Sequence, residues 1–333
     1  MTDTLADLGW SAHFSSQVEP EALIETPPAR ISDVHRDVVL AKSARGDVTL
    51  DLPPTIRSGD LAVGDWVLSS PGEGRVLSLL ERRTVLRRRT EGTSQQLIAA
   101  NVDTLMIVSS CNADFNAARL ERYLALAISS EIPPVLVLTK ADMTADADDY
   151  KQQAGQLLAG LAVIVLDARD PASLDQLLPW LKRGETAALI GSSGVGKSTI
   201  MNGLAGIETA TQGIRESDAK GRHTTTARSL RRTLSGGWLI DTPGMRSLSM
   251  SDNGEGIEVL FADLIALAAT CKFSDCSHSI EPGCAIQAAI KKGDMDADRL
   301  NRWQKLLTEN EGNTETFAQA RARRRATPPK KTR

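Results

Sequence analysis

One stretch of the sequence, GSSGVGKS at residues 191–198, has the glycine and lysine spacing of a phosphate-binding loop. Glycines let the backbone wrap around phosphates, so that successive N–H groups and the amino end of a following helix face the negative charge. Lys197 is expected to reach the β- and γ-phosphates and Ser198 to bind Mg²⁺. The residues predicted to bind the nucleotide here are Gly191, Ser192, Ser193, Gly194, Val195, Gly196, Lys197, Ser198 and Thr199. The loop predicts a nucleoside triphosphate site.

A second phosphate and metal element is expected after a later strand, and GGWLIDTPG supplies it. Asp241 is placed to hold Mg²⁺ through water, and the N–H of Gly244 is placed to contact the γ-phosphate. The next residue is Met245, at a position where many GTPases have a glutamine that orients the attacking water. A thioether does not direct water, so we expect slow hydrolysis by the isolated protein.

Between these two elements lies GRHTTTARS, a polar segment with threonines at 224–226. One of these hydroxyls, taken here as Thr225, is expected to complete the Mg²⁺ shell; the alternative is a threonine-rich surface turn. His223 is a candidate to orient water, and an equal alternative is that it packs the segment or meets a phosphate of a partner. Lys197, His223 and Thr225 are the predicted catalytic residues.

A base-recognition motif comes upstream of the phosphate loop, at Thr139, Lys140, Ala141 and Asp142. A carboxylate at Asp142 can accept hydrogen bonds from guanine N1–H and N2–H₂, whereas adenine offers no matching pair of donors. The motif therefore predicts selection of GTP over ATP. Because the base reader precedes the phosphate loop, the usual GTPase order is circularly permuted, which is physically reasonable when all ligand groups meet at one edge of a sheet.

Three cysteines and a histidine are close together in CKFSDCSHSIEPGC. Cys271, Cys276, His278 and Cys284 are the kind of ligand set that holds a single structural Zn²⁺ in tetrahedral geometry. Cys111 follows an apolar strand and is expected to pack there instead of binding metal.

The elements that must position these residues can be read from the hydrophobic pattern. Nearly continuous apolar runs alternate with helices from about residue 101, which predicts an α/β doubly wound domain. Before it, short alternating runs between turn residues predict a small β-barrel, for which an OB-fold is favoured over an SH3-like barrel. A helix is expected over 256–270. The predicted organisation is an N-terminal extension (1–29), an OB-fold barrel (30–95), a permuted P-loop GTPase domain (96–252) and an α-helical zinc-binding domain with a basic tail (253–333).

Composition limits the possible classes of protein. The net charge is −3, with 41% hydrophobic and 24% charged residues, and no apolar run approaches the roughly 18 residues that cross a bilayer. The N-terminus lacks the cationic start and apolar core of a secretion signal. We therefore expect a cytoplasmic protein without a membrane partner. Arginines are concentrated at 79–92, and basic residues at 321–333, so a polyanionic partner is expected. For either patch alone, an equal alternative is a solvated face or a disordered tail.

The sequence resembles the ribosome small-subunit-dependent GTPases (RsgA). The stretches that carry the resemblance are ANVDTLMIVSS, PPVLVLTKAD, GSSGVGKST, GRHTTT, DTPGMRSL and CKFSDCSHSIEPGC. The resemblance implies a GTP hydrolase with Mg²⁺ and one structural zinc, acting in late maturation of the small (30S) ribosomal subunit. It also implies binding of rRNA, hydrolysis stimulated by the subunit, and a monomer. Thr139 replaces the commoner asparagine, and Asp167 stands where serine is common, which affects nucleotide affinity. Two alternatives stay open: a nucleotide-gated RNA-binding module in which hydrolysis is incidental, and a GTPase that delivers zinc.

Overall fold

The computed structural model describes residues 3–70, 72–89, 95–206, 228–242 and 253–326, with the backbone alone at 89 and 313–326. The chain forms two compact units. The first comprises Met1–Arg88, Gln96–Asn116 and Ser130–Ser247. The second comprises Arg89–Gln95, Ala117–Ser129 and Leu248–Arg333.

The N-terminal segment contains two short helices, α1 (Ala12–Ser15) and α2 (Ala22–Glu25), and packs on the first unit. The rings of Trp10 and Phe14 both contact Trp66, at centroid distances of 4.9 and 5.7 Å. The rings of Trp10 and Phe14 also contact each other, at a centroid distance of 5.5 Å, so the three rings form one aromatic cluster. The segment therefore buries apolar surface that the barrel leaves uncovered.

Five antiparallel strands follow, namely β1 (Pro28–Val34), β2 (Val38–Ser43), β3 (Gly46–Asp51), β4 (Trp66–Ser69) and β5 (Val76–Leu79). Strand β1 pairs with both β2 and β4, which gives the order β3-β2-β1-β4-β5. A parallel bridge between Asp51 and Arg75 brings the two edge strands together. This closed order is that of a five-stranded Greek-key OB-fold, so the predicted OB-fold is confirmed. Its core consists of Ala29, Ile31, Val39, Ala41, Leu50, Leu61, Val67 and Val76.

One strand departs from the alternation that the sequence predicts. Residues 28–32 of β1 are all buried, because the N-terminal segment covers the face that would otherwise meet solvent. The guanidinium of Arg30, 1% exposed, donates to the carbonyl of Leu8 at 2.7 Å and to that of Asn101 at 3.2 Å. Burial lowers the pKa of Arg30 to about 10. Arg30 thus joins the N-terminal segment, the barrel and the chain that enters the next sheet.

A two-stranded ribbon, β6 (Val85–Arg89) and β7 (Gln95–Ala100), leads from the barrel to a six-stranded sheet. The sheet strands are β8 (Thr104–Ser110), β9 (Pro134–Thr139), β10 (Ala162–Val165), β11 (Thr186–Gly191), β12 (Leu230–Arg232) and β13 (Trp238–Asp241). Their order is β10-β9-β8-β11-β13-β12, and all are parallel except β12. The predicted doubly wound domain is confirmed. The chain direction around the sheet reverses between β8 and β11, where ligands bind in such folds.

Four helices are interspersed with these strands: α3 (Ala117–Ser129), α4 (Ala147–Gly155), α5 (Pro171–Leu174) and α6 (Lys197–Ala205). In the second unit α3 is joined by α7 (Gly254–Leu260), α8 (Ala262–Ala268), α9 (Ala285–Lys292) and α10 (Ala297–Ala326). The helical segment predicted over 256–270 is present, but as two helices, α7 and α8. The helix is interrupted at Phe261, a fully buried residue whose backbone leaves the helical region.

Two contacts hold α3 within the second unit. The fully buried carboxylate of Glu121 accepts two hydrogen bonds from Arg302 Nε, at 2.8 and 3.0 Å. A Cβ added at Gly256 would lie 2.1 Å from the carbonyl oxygen of Ala125, so α7 approaches α3 at a distance that only glycine permits. Among the described helices, none is long and apolar enough to cross a membrane.

Candidate nucleotide and zinc sites

The phosphate-loop residues connect the end of β11 to the start of α6. Gly191 has a φ of 145°, and a Cβ there would lie 2.1 Å from the carbonyl oxygen of Val108 on the neighbouring strand. Gly196, with a φ of 98°, turns the chain into α6. Both glycines are therefore required by the backbone, independently of any ligand. The turn brings the first N–H groups of α6 to the carboxyl edge of the sheet, where they favour an anion.

Lys197, the first residue of α6, folds back over the loop. Its Nζ donates to the carbonyl of Gly191 at 2.8 Å and to that of Ser192 at 2.5 Å. These contacts hold the ammonium group next to the backbone that is predicted to bind phosphate. The next residue, Ser198, is exposed at the start of the helix, where a hydroxyl is accessible to a metal ion.

The base-recognition motif begins at the end of β9, two strands from the phosphate loop. The side chain of Thr139 is fully buried, and its hydroxyl lies 2.6 Å from the carbonyl oxygen of Val195 and 3.1 Å from that of Ser109. The hydroxyl therefore ties the base reader to the phosphate loop. Lys140 then adopts a left-handed conformation, with a φ of 60°, and leads into a short 3-10 turn at Ala141–Met143. This turn carries Asp142.

An arginine that the motifs did not identify contacts Asp142. Arg169 Nη2 donates to Asp142 Oδ2 at 2.5 Å, and Arg169 Nε donates to Asp167 Oδ1 at 3.1 Å. Hydrogen bonds from Arg169 lower the pKa of Asp167. The unusual Asp167 thus anchors an arginine whose donors face the same carboxylate that is predicted to read guanine.

Asp241 ends β13, the strand beside β11. Burial raises the pKa of Asp241, and the nearby positive charge of Lys197 opposes that rise. The following hydroxyl, of Thr242, donates to the carbonyl of Leu189 at 2.6 Å and ties the end of β13 to β11. A cation would favour the charged form of Asp241, as expected of a group that binds Mg²⁺ through water. The other predicted residues of this region, His223, Thr225, Gly244 and Met245, lie outside the described residues.

The four predicted zinc ligands lie together in the second unit. The donor atoms of Cys271, Cys276, His278 and Cys284 are all within 4.8 Å of one another. Cys271 Sγ is 3.9 Å from Cys284 Sγ, and His278 Nδ1 is 3.6 and 3.7 Å from these two sulfurs. Tetrahedral zinc with ordinary bond lengths separates two sulfurs by about 3.8 Å and a sulfur from a nitrogen by about 3.6 Å. The cluster fits structural zinc and leaves no protein position open for a catalytic ligand.

Backbone N–H groups and a carboxylate support the cluster. Ala285 N–H lies 3.3 Å from Cys271 Sγ, a contact that stabilises a thiolate. Gln287 Nε2 donates to the carbonyl of His278 at 2.7 Å, and His278 is held in a left-handed conformation with a φ of 60°. The carboxylate of Glu281 accepts hydrogen bonds from Ser277, which contribute most to lowering its pKa to about 2. Cys111, as predicted, is buried in the first unit and takes no part in the cluster.

The fold and these sites define a class of protein. The predicted base reader after β9, the predicted phosphate loop after β11 and Asp241 at the end of β13 meet at one sheet edge in permuted order, which is the arrangement of a circularly permuted P-loop GTPase. The RsgA GTPase family model matches residues 79–251, and the chain belongs to that family. It is accordingly a GTP hydrolase that uses Mg²⁺ with GTP.

Curated relatives agree with this assignment, and two solved structures have a similar fold. The chain is 55% identical to the small ribosomal subunit biogenesis GTPase RsgA of Mesorhizobium japonicum, over 93% of this chain and 91% of the relative. It is 47% identical to the small ribosomal subunit biogenesis GTPase RsgA 2 of Vibrio vulnificus, over 96% of this chain and 92% of the relative. Its fold is similar to that of YjeQ from Thermotoga maritima, with a TM-score of 0.61, 24% identity and coverage of 86% of this chain and 98% of that one. The fold is also similar to that of YloQ, described as a circularly permuted GTPase, with a TM-score of 0.60, 24% identity and coverage of 89% of this chain and 99% of that one.

Sequence reasoning missed two features of the site. Arg169 was not identified because it is neither in a motif nor near Asp142 in sequence, being 27 positions away. The tether from Thr139 to Val195 was missed because it joins segments 56 positions apart. The sequence did contain a signal for Arg169, because the unusual Asp167 is two residues before it and offers it a carboxylate.

Proposed function

We propose that this protein is a GTPase that assists late maturation of the small ribosomal subunit, and that the subunit stimulates its hydrolysis of GTP. The observation that carries the proposal is the convergence of Asp142, the 191–198 loop and Asp241 at one edge of the sheet, in a chain 55% identical to a small ribosomal subunit biogenesis GTPase. We propose contact with the rRNA through the barrel, the zinc-binding domain and the basic tail. We also propose that the protein is a cytoplasmic monomer without a membrane partner, because the small ribosomal subunit on which it acts is in the cytoplasm.

We assign the roles of the nucleotide residues from the motifs that they form. Asp142 accepts two hydrogen bonds from guanine, with Lys140 covering the base, while Thr139 and Ala141 position the turn. The loop from Gly191 to Thr199 holds the phosphates, and Lys197 and Ser198 supply an ammonium group and a hydroxyl for phosphate and Mg²⁺. Asp241 holds the metal through water and Gly244 contacts the γ-phosphate, while Thr225 and His223 complete the catalytic set.

The divisions at 1–29, 30–95, 96–252 and 253–333 are kept as the proposed domains. In this scheme the zinc domain directly follows the segment after Asp241. A change in that segment between GTP and GDP would then reach the zinc domain along the chain.

The test is GTP hydrolysis with and without purified small ribosomal subunits, with large subunits as the control. We expect a large increase with small subunits alone. A rate that is unchanged by small subunits, while GTP still binds, would overturn the assembly role and favour the nucleotide-gated RNA-binding module.

A second experiment tests the base reader directly. Asp142→Asn places an amide donor where xanthine has a C2 carbonyl in place of the guanine amine, so the variant should bind xanthosine triphosphate in preference to GTP. Asp146→Asn, which changes a nearby aspartate outside the motif, is the matched control and should keep the preference for GTP. Unchanged preference in Asp142→Asn would remove Asp142 from the base site.

A further inference from the structure

A second cavity, distinct from the nucleotide site, lies beside the barrel in the first unit. It has a volume of about 360 Å³, within the range of about 300 to 1,000 Å³ that is usual for ligand pockets. The turn after β1, the 58–63 segment and β7 form its walls, together with Arg228, which precedes β12.

The lining of this cavity includes three basic side chains, and the carboxylate of Asp33, which is outside the lining, is close enough to interact electrostatically with one of them, His35. His35, Arg36 and Arg228 contribute basic side chains, and Ser58 and Gln96 contribute neutral polar groups. Among the described residues that line the cavity, none is an aspartate or a glutamate. A concave surface with charges of one sign concentrates the field and attracts ions of the opposite sign.

Arg228 is the feature that points to a ligand. Its Nε atom is buried and has no hydrogen-bond acceptor among the described residues. Burial, and to a smaller extent the positive charge of Arg88, lower the pKa of Arg228. A buried N–H donor without an acceptor costs free energy, and an anion in the cavity would offset that cost.

The side-chain amide of Gln96 is a further hydrogen-bond donor in the cavity. Its Oε1 accepts a hydrogen bond from Arg88 Nε at 3.0 Å, so the amide N–H₂ is the group that remains to donate. The amide therefore adds neutral donors to the guanidinium groups of Arg36 and Arg228. Such a set of donors is typical of phosphate contacts, in which arginine is favoured for its fixed fork of N–H groups.

We propose that this cavity binds a phosphodiester group of an RNA backbone, with Arg36, Gln96 and Arg228 as the donors. The inference deepens the proposed function and depends on it for the identity of the ligand, because the shared chemistry is that of any phosphate. An OB-fold barrel is a common platform for single-stranded nucleic acid, which favours RNA over a free anion. Arg228 also follows Thr225 by three positions, so the site is close in sequence to a proposed Mg²⁺ ligand.

The test measures binding of a short single-stranded oligouridylate to the full-length protein as a function of KCl concentration, by fluorescence anisotropy. Arg228→Gln and Arg36→Gln should each weaken binding and reduce the slope of log K against log salt by about 0.7, because each variant neutralises one phosphate fewer on a single strand. Arg45→Gln is the matched control, since it removes an exposed arginine from the β2–β3 turn, outside this cavity. Thermal unfolding of each variant checks that it is folded, and Arg36 is exposed, so its replacement should not disturb the core.

Inorganic phosphate distinguishes the two sources of ligand. It should compete with the oligouridylate in the native chain and lose that effect in Arg228→Gln. Native affinity and salt slope in both folded variants would overturn the proposal. Competition by phosphate without any effect of the variants on RNA would assign the cavity to a free anion and overturn the RNA assignment. If small subunits fail to stimulate hydrolysis while Arg228→Gln still weakens RNA binding, the assembly role falls and the cavity assignment stands.

Discussion

The guanidinium group of Arg169 lies against the carboxylate of Asp142, with 2.5 Å between Nη2 and Oδ2. The same arginine is anchored by Asp167, through Nε at 3.1 Å and Nη2 at 3.2 Å from its two oxygens. Arginine donors therefore face the carboxylate oxygens that guanine N1–H and N2–H₂ are proposed to use. In the proposed binding mode, guanine competes with Arg169 for the carboxylate of Asp142.

The first prediction concerns that competition. Arg169→Gln removes the charged donor, and we expect guanine nucleotides to bind up to about fivefold more tightly, because an exposed ion pair contributes only a small free energy. The measurement is the Kd for GDP by calorimetry, with Arg45→Gln as a control that should match the native chain. Weaker binding by Arg169→Gln would show that the arginine supports the base instead of competing with it.

The second prediction concerns the tether between base reader and phosphate loop. Thr139→Val removes the hydroxyl that bonds to the carbonyl of Val195 and leaves that buried oxygen without its donor. We expect a loss of about 1 to 2 kcal/mol in the free energy of unfolding and weaker binding of both GTP and GDP. Thr139→Ser keeps the hydroxyl and should restore nucleotide affinity. If valine and serine give the same affinity, the tether does not position the loop.

The third prediction concerns the zinc cluster. Cys276→Ser removes one of four ligands, so the purified variant should contain less than one zinc per chain, and thermal unfolding of the second unit should begin at a lower temperature. Zinc content by atomic emission and the visible absorption of the cobalt-substituted protein are the measurements. Cys111→Ser changes a buried thiol outside the cluster and should keep its zinc. A full zinc content in Cys276→Ser would exclude this residue as a ligand.

The fourth prediction uses the buried ion pair in the second unit. Glu121→Gln leaves the guanidinium of Arg302 with only its longer ion pair to the exposed carboxylate of Asp296, at 3.6 Å, and we expect a loss of about 3 kcal/mol in the free energy of unfolding. Asp263→Asn is the control, because Asp263 is 56% exposed in its pair with Arg299 and should cost less than about 1 kcal/mol. Chemical denaturation of both variants measures the difference. Equal losses of unfolding free energy in the two variants would show that burial does not determine how much the ion pair stabilises the protein.

The fifth prediction concerns pH and the N-terminal segment. Hydrogen bonds from the backbone of Thr4 and from Arg183 lower the pKa of Asp7 to about 2. A carboxyl group with a lowered pKa in the folded state stabilises above its unfolded pKa, and this stabilisation is lost as the pH falls toward the folded value. The difference in Tm between the native chain and Asp7→Asn should therefore be largest above pH about 4 and shrink as the pH falls toward 2.

Asp47→Asn, on the surface of the barrel, is the control for this experiment, and its Tm should follow that of the native chain at each pH. A difference for Asp7→Asn that is constant with pH would show that the charge of Asp7 is not what secures the N-terminal segment.

Local sequence determined the ligand chemistry of this protein. The phosphate loop, the TKAD and DTPG motifs and the four zinc ligands could be recognised because backbone conformation and donor type at such sites demand particular residues at short, fixed spacings. The alternation of apolar runs with helices likewise predicted the parallel sheet, because strands buried on both faces have few polar positions.

Tertiary structure alone decided the contacts between distant segments. The barrel is an OB-fold because β1 pairs with both β2 and β4. The sequence of each strand does not specify which other strands it pairs with. Arg30 became a buried junction because the N-terminal segment covers β1, and Arg169 reached Asp142 because two loops meet at the sheet edge. Both of these arginine contacts join residues more than 20 positions apart. Their formation depends on how the whole chain packs, which periodicity and motif spacing do not specify.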